Sequence, residues 1–252
     1  VHDDIMDEAD LRRGKPSVYK KWNVNTAILS GDVMFADALR QLNTYGTSDT
    51  YSKEEYAALN EVFLKSVVIV CEGQALDMEF VKRTVVSEND YLNMIQGKTA
   101  ALLSGALEMG AITAHADKEQ RLALAQFGLD LGIAFQIQDD LLDAIADPEK
   151  FGKRPGGDIH EGKKTYLTLL ALERADERQK QFIQQTLDRS SSTQDEVDQV
   201  LSIMDQLNVM DDIKNKVQQG YDKASERIAL FDESDYKQEL QHLLTFLQHR
   251  DH

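Results

Sequence analysis

Proline is scarce in this chain, and its placement constrains the fold more than any other single feature. Only three prolines occur in 252 residues, Pro16, Pro148 and Pro155, and each lies in a segment that already reads as a loop. Because proline interrupts helices and central strands, the long stretches between these positions can form continuous elements. Apolar residues recur in those stretches with the period of an α-helix. The pattern predicts an all-α protein that folds as a bundle of long helices.

Helical periodicity and start signals divide the chain into predicted helices. Serine or threonine at Ser52, Ser87, Thr193 and Ser234 precedes four of them, as is typical of helix N-caps. No convincing strand is present, and the β-branched run KSVVIVCEG at 65–73 is predicted as helix because it lies inside a longer helical pattern. The predicted helices are 23–43, 53–84, 88–115, 118–146, 164–174, 177–189, 194–206, 208–230 and 233–249, with 88–115 and 118–146 expected to form the core.

Composition and charge exclude some classes of function. With 42% hydrophobic residues the chain is globular rather than disordered, and its formal net charge of −16 argues against a nucleic-acid partner. The single cysteine, Cys71, cannot form an intramolecular disulfide. No apolar run reaches the roughly 18 residues that a membrane span requires, and the charged residues 1–14 do not resemble a signal peptide. We expect a cytoplasmic protein without an integral membrane segment.

Two acidic motifs recur more than a hundred residues apart. HDDIMDEADLRRG contains Asp3, Asp4 and Asp7, and QDDLLD contains Asp139, Asp140 and Asp143. In a helix, the first and last aspartates of each motif share one face, one turn apart, where like charges destabilise the helix. A divalent cation between them reverses that effect, and magnesium typically binds one or two carboxylates together with substrate phosphates.

The surroundings of the second motif separate it from an ordinary acidic surface. One DDxxD alone is typical of a solvated face, but the second lies in the apolar stretch GLDLGIAFQIQDDLLDAIA. A carboxylate near a core is costly unless it is paired or binds a metal ion. A buried acid that bonds to a lysine or an arginine is the alternative there. Together, the two motifs favour a site for divalent cations.

Basic residues follow both motifs and are candidate ligands for a phosphate group. Arg12 and Arg13 follow the first motif, and Gly14 and Pro16 are predicted to end its helix. Lys98 lies beside Thr99 in QGKTA, and Lys153 and Lys163 flank the glycine-rich loop after the second motif. Arginine suits bidentate contacts to phosphate and lysine acts as a point charge. The alternatives are a helix C-terminal charge pair for the arginines and a surface ion pair for Lys98.

These residues carry a family resemblance. DDIMDEADLRRG, GQALD, GKTA, FQIQDDLLD and GKRPGGDIHEGKKT occur in the order and spacing of the trans-isoprenyl diphosphate synthases, the polyprenyl synthetase family, and the match spans about residues 1–170. The resemblance implies a single bundle of mostly antiparallel helices around a central cavity. It also implies a prenyltransferase that joins an allylic diphosphate to isopentenyl diphosphate head to tail, as a short-chain farnesyl or geranylgeranyl diphosphate synthase does.

The resemblance also implies a role for each matching residue. Magnesium would be bound by Asp3, Asp7 and Asp139, supported by Asp4, Asp140 and Asp143. The allylic diphosphate would be bound by Arg12, Lys98 and Lys153, and isopentenyl diphosphate by Arg13. Thr99 and Gln136 would lie beside the reacting carbons, and Asp158 and Lys163 would close the loop over the diphosphates. Gln74 and Asp77 would face the cavity or bond within their helix, and Phe135 would stack on the hydrocarbon or pack in the core.

The resemblance has one departure and leaves alternatives. The family's Gly-Lys-xx-Arg stretch, which binds much of the isopentenyl diphosphate, is absent here, and we expect that residues 1–252 form one domain that lacks N-terminal helices. A class I terpene cyclase would share the fold but usually lacks the second DDxxD and the RRG sequence. A noncatalytic synthase subunit commonly has lost the aspartates of one acidic motif, whereas both motifs are intact here. A purely structural helical bundle would give no reason for the two acidic motifs. A homodimer through residues 22–39 follows the family habit.

Overall fold

The computed structural model describes residues 1–83, 85–145, 155–189 and 192–250, and these are overwhelmingly helical. The all-α prediction is confirmed. The helices are α1 (His2–Met6), α2 (Val18–Lys21), α3 (Val24–Gly46), α4 (Lys53–Phe80), α5 (Glu88–Ile95), α6 (Ala101–Thr113), α7 (Lys118–Ile145), α8 (Gly157–His160), α9 (Tyr166–Arg174), α10 (Glu177–Leu187), α11 (Gln194–Gln206), α12 (Val209–Ala229) and α13 (Asp235–Gln248). A π-helical segment, Gln96–Ala100, joins α5 to α6.

The predicted helix starts are confirmed by their caps. The Ser87 hydroxyl accepts a hydrogen bond from the backbone of Asp90, whose side chain accepts one from the Ser87 backbone, and Thr193 forms the same reciprocal box. Ser52 and Ser234 also accept backbone hydrogen bonds at the starts of α4 and α13. These caps are local, so the sequence alone determines them. The stretch KSVVIVCEG is helical, as predicted, inside α4.

Three predictions about local structure are wrong. The helix predicted over 88–115 is interrupted by the π segment at 96–100. The helix of the first motif ends at Met6, well before Gly14. A two-stranded antiparallel hairpin, β1 (Leu11–Arg12) and β2 (Lys15–Pro16), follows it, where no strand was expected. Arg13 and Gly14 connect its strands with φ values of 55° and 72°, and two consecutive positive values are what a tight two-residue hairpin turn requires.

The chain divides into two compact units, Val1–Asn60 and Glu61–His252. The first contains the hairpin and α1 to α3. Its longest complete helix, α3, exposes a run of apolar side chains: Ile28, Leu29, Val33 and Met34 are each more than 40% exposed. Among the described residues, no helix is long and apolar enough to span a membrane.

The second unit is built around α7, as predicted for the core. Phe127, Leu131 and Ile137 of this helix are almost completely buried. Close backbone approaches fix its neighbours, because a Cβ on Gly132 would lie 2.5 Å from the Cα of Ala100 and one on Gly220 of α12 would lie 2.7 Å from the Cβ of Ala134. The π segment and α12 therefore approach α7 at glycine positions, and this close packing sets the positions of the polar side chains on α7.

Candidate active site

The first acidic motif, in the first unit, is held by an arginine of the hairpin. Asp4 is 3% exposed, and Arg12 contacts it with both Nε, at 2.7 Å, and a terminal nitrogen, at 2.5 Å. The same guanidinium lies 3.3 Å from Asp3. The hydrogen bond to Asp4 raises the pKa of Arg12, against the opposing effect of burial. The hairpin thus brings Arg12 back onto the motif that precedes it, a geometry that a continuous helix would not produce.

The other residues of this motif lie nearby in the same unit. Asp7 caps the end of α1, where its backbone N–H donates to Asp3. Arg13 is exposed in the turn of the hairpin. A backbone hydrogen bond of 2.9 Å from Ser17 to Asp10 closes the base of the loop. The alternative for the two arginines, a charge pair at a helix C-terminus, does not apply because the helix has already ended.

A cavity of about 240 Å³ in the second unit collects most of the remaining predicted residues. Its charged and polar lining includes five aspartates, three lysines and one glutamine, and its apolar lining comes mainly from α4 and α5. The side chains that line it are Asp77, Phe80, Val81, Tyr91, Met94, Ile95, Lys98, Gln136, Asp139, Asp140, Asp143, Asp158, Lys163, Lys164 and Thr165. The second acidic motif therefore shares one cavity with two of the predicted basic ligands.

Asp140 is the buried centre of a hydrogen-bond chain. Tyr91 donates its hydroxyl to one carboxylate oxygen at 2.5 Å, and Gln136 donates its amide to the other at 3.2 Å. The Gln136 carbonyl in turn accepts the hydroxyl of Thr99 at 3.0 Å. Burial, together with the charge of Asp158, raises the pKa of Asp140 to about 8, although both hydrogen bonds oppose the shift. Thr99 and Gln136, which were predicted to lie together beside the reacting carbons, are joined by a direct hydrogen bond.

Asp143 ties the second motif to the segment that follows the loop. Its side chain accepts a hydrogen bond of 3.0 Å from the backbone N–H of Asp158, and its carbonyl accepts one of 2.9 Å from Gly156. A Cβ on Gly157 would lie 2.9 Å from the carboxylate, so a larger residue there would displace the Asp143 side chain. Asp143 therefore positions α8, the short helix that carries Asp158.

Asp158 and Lys163 form an ion pair at 3.3 Å, and Lys163 also contacts Glu161 at 2.8 Å. Burial raises the pKa of Asp158 to about 6, reinforced by the charge of Asp143 and opposed by that of Lys163. Burial disfavours the Lys163 ammonium, but the charges of Asp158 and Glu161 outweigh it and raise the lysine's pKa. The cavity carries more acidic than basic charge, an imbalance that a bound cation would relieve.

Lys98 occupies the π segment and pairs with Asp77 of α4 at 2.6 Å. The alternative for Asp77 was a hydrogen bond within its own helix, but its partner, Lys98, lies outside α4. The crossing is tight, because a Cβ on Gly73 would lie 2.1 Å from the backbone nitrogen of Lys98 and one on Gly97 would lie 3.0 Å from the Cα of Gly73. π segments of this kind are frequent at functional sites. Sequence periodicity does not reveal the inserted residue.

Arg250, which follows α13, is a site residue that the sequence did not predict. Its guanidinium pairs with Asp139 and lies 4.4 Å from the centroid of the Phe135 ring. Phe135 thus contacts a cation, which the sequence did not predict. No motif marks Arg250, because it lies 111 residues from Asp139 in a polar segment.

Two further predictions have different outcomes. Gln74 is partly buried, and its amide nitrogen has no hydrogen-bond partner among the described residues. Lys153 lies outside the described residues. Among the residues that are described, no group of three or more histidine, cysteine, aspartate or glutamate side chains is arranged to hold a metal ion by itself. The carboxylate oxygens of the cavity are nevertheless the donors that magnesium prefers, and the excess of acids fits such an ion when phosphate oxygens complete its coordination.

Comparisons with known proteins support the family resemblance. The family model described as polyprenyl synthetase matches residues 1–204. A short chain isoprenyl diphosphate synthase of Methanothermobacter thermautotrophicus is 38% identical over the whole chain, which covers 75% of that protein. A geranylgeranyl diphosphate synthase of Sulfolobus acidocaldarius is 42% identical over 78% of the chain, which covers 59% of that protein. The crystal structure of a geranylgeranyl pyrophosphate synthetase from Pyrococcus horikoshii matches with a TM-score of 0.90 and 36% identity, over 99% of this chain and 74% of that one.

Proposed function

Because the chain belongs to the polyprenyl synthetase family of prenyltransferases, we propose that it condenses an allylic diphosphate with isopentenyl diphosphate head to tail and so forms a longer trans-polyprenyl diphosphate. The observation that carries this proposal is the cavity in which the three aspartates of the second motif lie together with Lys98, Lys163 and Gln136. Such a lining suits an anion that arrives with its cations. A short product, farnesyl or geranylgeranyl diphosphate, is supported by the two relatives, of which one is a short chain isoprenyl diphosphate synthase and the other a geranylgeranyl diphosphate synthase.

The acidic residues would hold magnesium, on which polyprenyl synthetases generally depend. We assign Asp3, Asp7 and Asp139 as the principal ligands, with Asp4, Asp140 and Asp143 in support. When bound, magnesium would offset the negative charge that develops on the departing diphosphate. Tyr91 and Gln136 donate hydrogen bonds to both oxygens of Asp140 and fix that carboxylate in place. These bonds favour an indirect role for Asp140 over direct contact with magnesium.

The basic residues would bind and orient the two diphosphates. Arg12, Lys98 and Lys153 would contact the allylic diphosphate, and Arg13 would contact isopentenyl diphosphate. Lys98 approaches the cavity while paired with Asp77, and about a quarter of its side chain is exposed. The Asp158–Lys163 pair lies at the same cavity and would close over the diphosphates.

The polar pair Thr99 and Gln136 would stabilise the reaction's positive charge. Breaking the allylic carbon–oxygen bond leaves a carbocation, which the double bond of isopentenyl diphosphate then attacks. The Thr99 hydroxyl donates to the Gln136 carbonyl, so the threonine oxygen keeps lone pairs available to the cation or to the proton that is lost. The apolar side chains that line the cavity, Phe80, Met94 and Ile95, would exclude water, which otherwise captures the cation.

A homodimer is proposed through the apolar face of α3. Ile28, Leu29, Val33 and Met34 form an exposed apolar run in the first unit, and large exposed apolar patches mark interfaces. Sedimentation analysis of wild type and of Val33→Glu tests the assignment. A monomeric wild type would contradict it. The cytoplasmic location remains a prediction from the sequence.

Incubation of the protein with an allylic diphosphate, isopentenyl diphosphate and magnesium tests the reaction. We expect longer linear prenyl diphosphates, identified by mass after separation. Cyclic hydrocarbons formed from the allylic substrate alone would overturn the synthase assignment in favour of a terpene cyclase. A wild type that turns over only after another chain is added would instead indicate a noncatalytic subunit.

A further inference from the structure

Arg250 places a protein cation on one of the carboxylates assigned to magnesium. Its guanidinium pairs with Asp139 and stacks against Phe135, one helical turn earlier on α7. The Arg250 side chain is 19% exposed, and its Nε is buried with no hydrogen-bond partner in the described structure. The guanidinium is therefore held by charge and by the aromatic ring, and one of its donors is unsatisfied. A buried donor without a partner costs free energy, so an arrangement in which Nε bonds to water offsets part of the loss of the pair.

The segment that carries Arg250 is anchored beside Asp139. The buried Gln138 donates its amide to the carbonyl of Gln248 at 3.1 Å, and its own carbonyl accepts the hydroxyl of Tyr221. Gln248 donates in turn to Gln218 of α12 at 2.9 Å. These bonds fix the end of α13 against α7 and α12. Because Gln138 is adjacent to Asp139, its hydrogen bond to Gln248 places Arg250 close to Asp139.

Two lysines of the cavity already have acidic partners, and the third, Lys164, donates to the carbonyl oxygen of Phe80. Lys98 pairs with Asp77, and Lys163 pairs with Asp158 and Glu161. Asp139 is half exposed, so a cation from solution can reach it. A guanidinium and a divalent ion are both positively charged, so each weakens the attraction of the other to this one carboxylate. Arg250 and a divalent ion therefore compete for Asp139.

We propose that Arg250 is a positioning residue that holds Asp139 as an internal counter-ion and is displaced from it when a divalent ion binds. The inference rests on the proposed function, because it requires Asp139 to be a metal ligand. Until the ion arrives, the pair keeps the Asp139 side chain in one orientation and limits the repulsion between it and the neighbouring acids. Release of the guanidinium then couples metal binding to the segment that follows α13.

Binding of Mn²⁺ alone, followed by electron paramagnetic resonance of the free ion, measures the competition. We expect Arg250→Gln to bind Mn²⁺ about two- to five-fold more tightly than wild type, the range that a partly exposed ion pair allows. Arg250→Lys, which restores a cation, should return most of the way to wild type. Arg227→Gln is the matched control, since it removes the same charge from an ion pair with Asp130, which lies on α7 like Asp139. It should leave the affinity unchanged.

Chemical modification gives a second readout that a purely structural role would not change. Labelling of arginines by butanedione, located by peptide mass spectrometry, should increase at Arg250 when Mn²⁺ is added and stay constant at Arg227. Unchanged or weaker Mn²⁺ binding by Arg250→Gln, or protection of Arg250 by the ion, would overturn the inference alone. Two other results would overturn the metal assignment of Asp139 as well. One is a wild type that shows no saturable Mn²⁺ binding, and the other is an Asp139→Asn variant that binds Mn²⁺ as tightly as wild type.

Discussion

Tyr91 donates its hydroxyl to the buried carboxyl group of Asp140 across 2.5 Å, between α5 and the C-terminal part of α7. Burial raises the pKa of Tyr91 well above its ordinary value, so the hydroxyl remains a donor. The bond satisfies one oxygen of an acid that is 8% exposed. It therefore joins the stability of the core to the geometry of the candidate site.

Removal of this donor should destabilise the protein. In Tyr91→Phe, an oxygen of Asp140 stays buried without its partner, and we expect a loss of about 1–3 kcal/mol in the free energy of unfolding. Urea unfolding followed by circular dichroism measures the change. Tyr236→Phe removes a hydroxyl from a side chain that is 86% exposed and serves as the control. Equal stabilities for the two variants would show that the bond contributes nothing.

Asp140 should make the metal-free protein less stable as the pH rises. Its pKa increases from an ordinary 3.8 to about 8 on folding, so between these values the folded state binds a proton that the unfolded state has lost. The free energy of unfolding should fall with a slope of at most about 1.4 kcal/mol per pH unit. Because Asp158 has a pKa of about 6, its parallel contribution ends near that pH. The window from pH 6 to pH 8 therefore isolates Asp140.

Asp140→Asn should flatten that slope, and unfolding in urea at pH 6, 7 and 8 with a chelator present measures it. Asp158→Asn is the matched variant and should flatten the dependence only below about pH 6. The same slope in wild type and Asp140→Asn would contradict the shifted pKa.

The crossing of α4 with the π segment should be intolerant of a single methyl group. A Cβ on Gly73 would lie 2.1 Å from the backbone nitrogen of Lys98, so in Gly73→Ala the backbones must separate. We expect a loss of about 1–3 kcal/mol in stability, as is typical of overpacking, together with lower turnover because Lys98 moves. Gly110→Ala on α6 is the control, since nothing lies within 4 Å of its Cβ. It should be neutral or stabilising by up to about 1 kcal/mol.

The parts of this structure that depend on local chemistry could be predicted from the sequence. Helix starts such as Ser87 and Thr193 were found because the cap and its partner lie three residues apart. The bond between Gln136 and Asp140 also has helical spacing, four residues, and periodicity could have indicated it. The hairpin turn left a weaker signal, since glycine follows arginine there without the usual asparagine or aspartate.

The remaining features arise from contacts between distant segments. The π segment accompanies the close approach of Gly73 to Gly97, which no pattern within 88–115 encodes. Tyr91 and Arg250 reach their aspartates across 49 and 111 residues, and neither belongs to a motif. The second acidic motif was recognisable because like charges in an apolar sequence require a compensating charge. Which group compensates them is a property of the folded chain.

Loss of Asp139 should lower turnover by orders of magnitude without unfolding the protein. The side chain is half exposed, so Asp139→Ala creates no large cavity and frees the Arg250 guanidinium to meet water. If Asp139 binds magnesium in the transition state, kcat should fall by about 100-fold or more, equivalent to about 2.7 kcal/mol of lost stabilisation. Asp130→Ala is the matched control, because it removes another acid of α7 that pairs with an arginine, Arg227, outside the cavity.

Steady-state kinetics at saturating magnesium, with circular dichroism to verify folding, compare the two variants. A value of kcat for Asp139→Ala within a few-fold of wild type would refute the ligand assignment, whereas similar losses in both variants would point to a general effect of charge on α7.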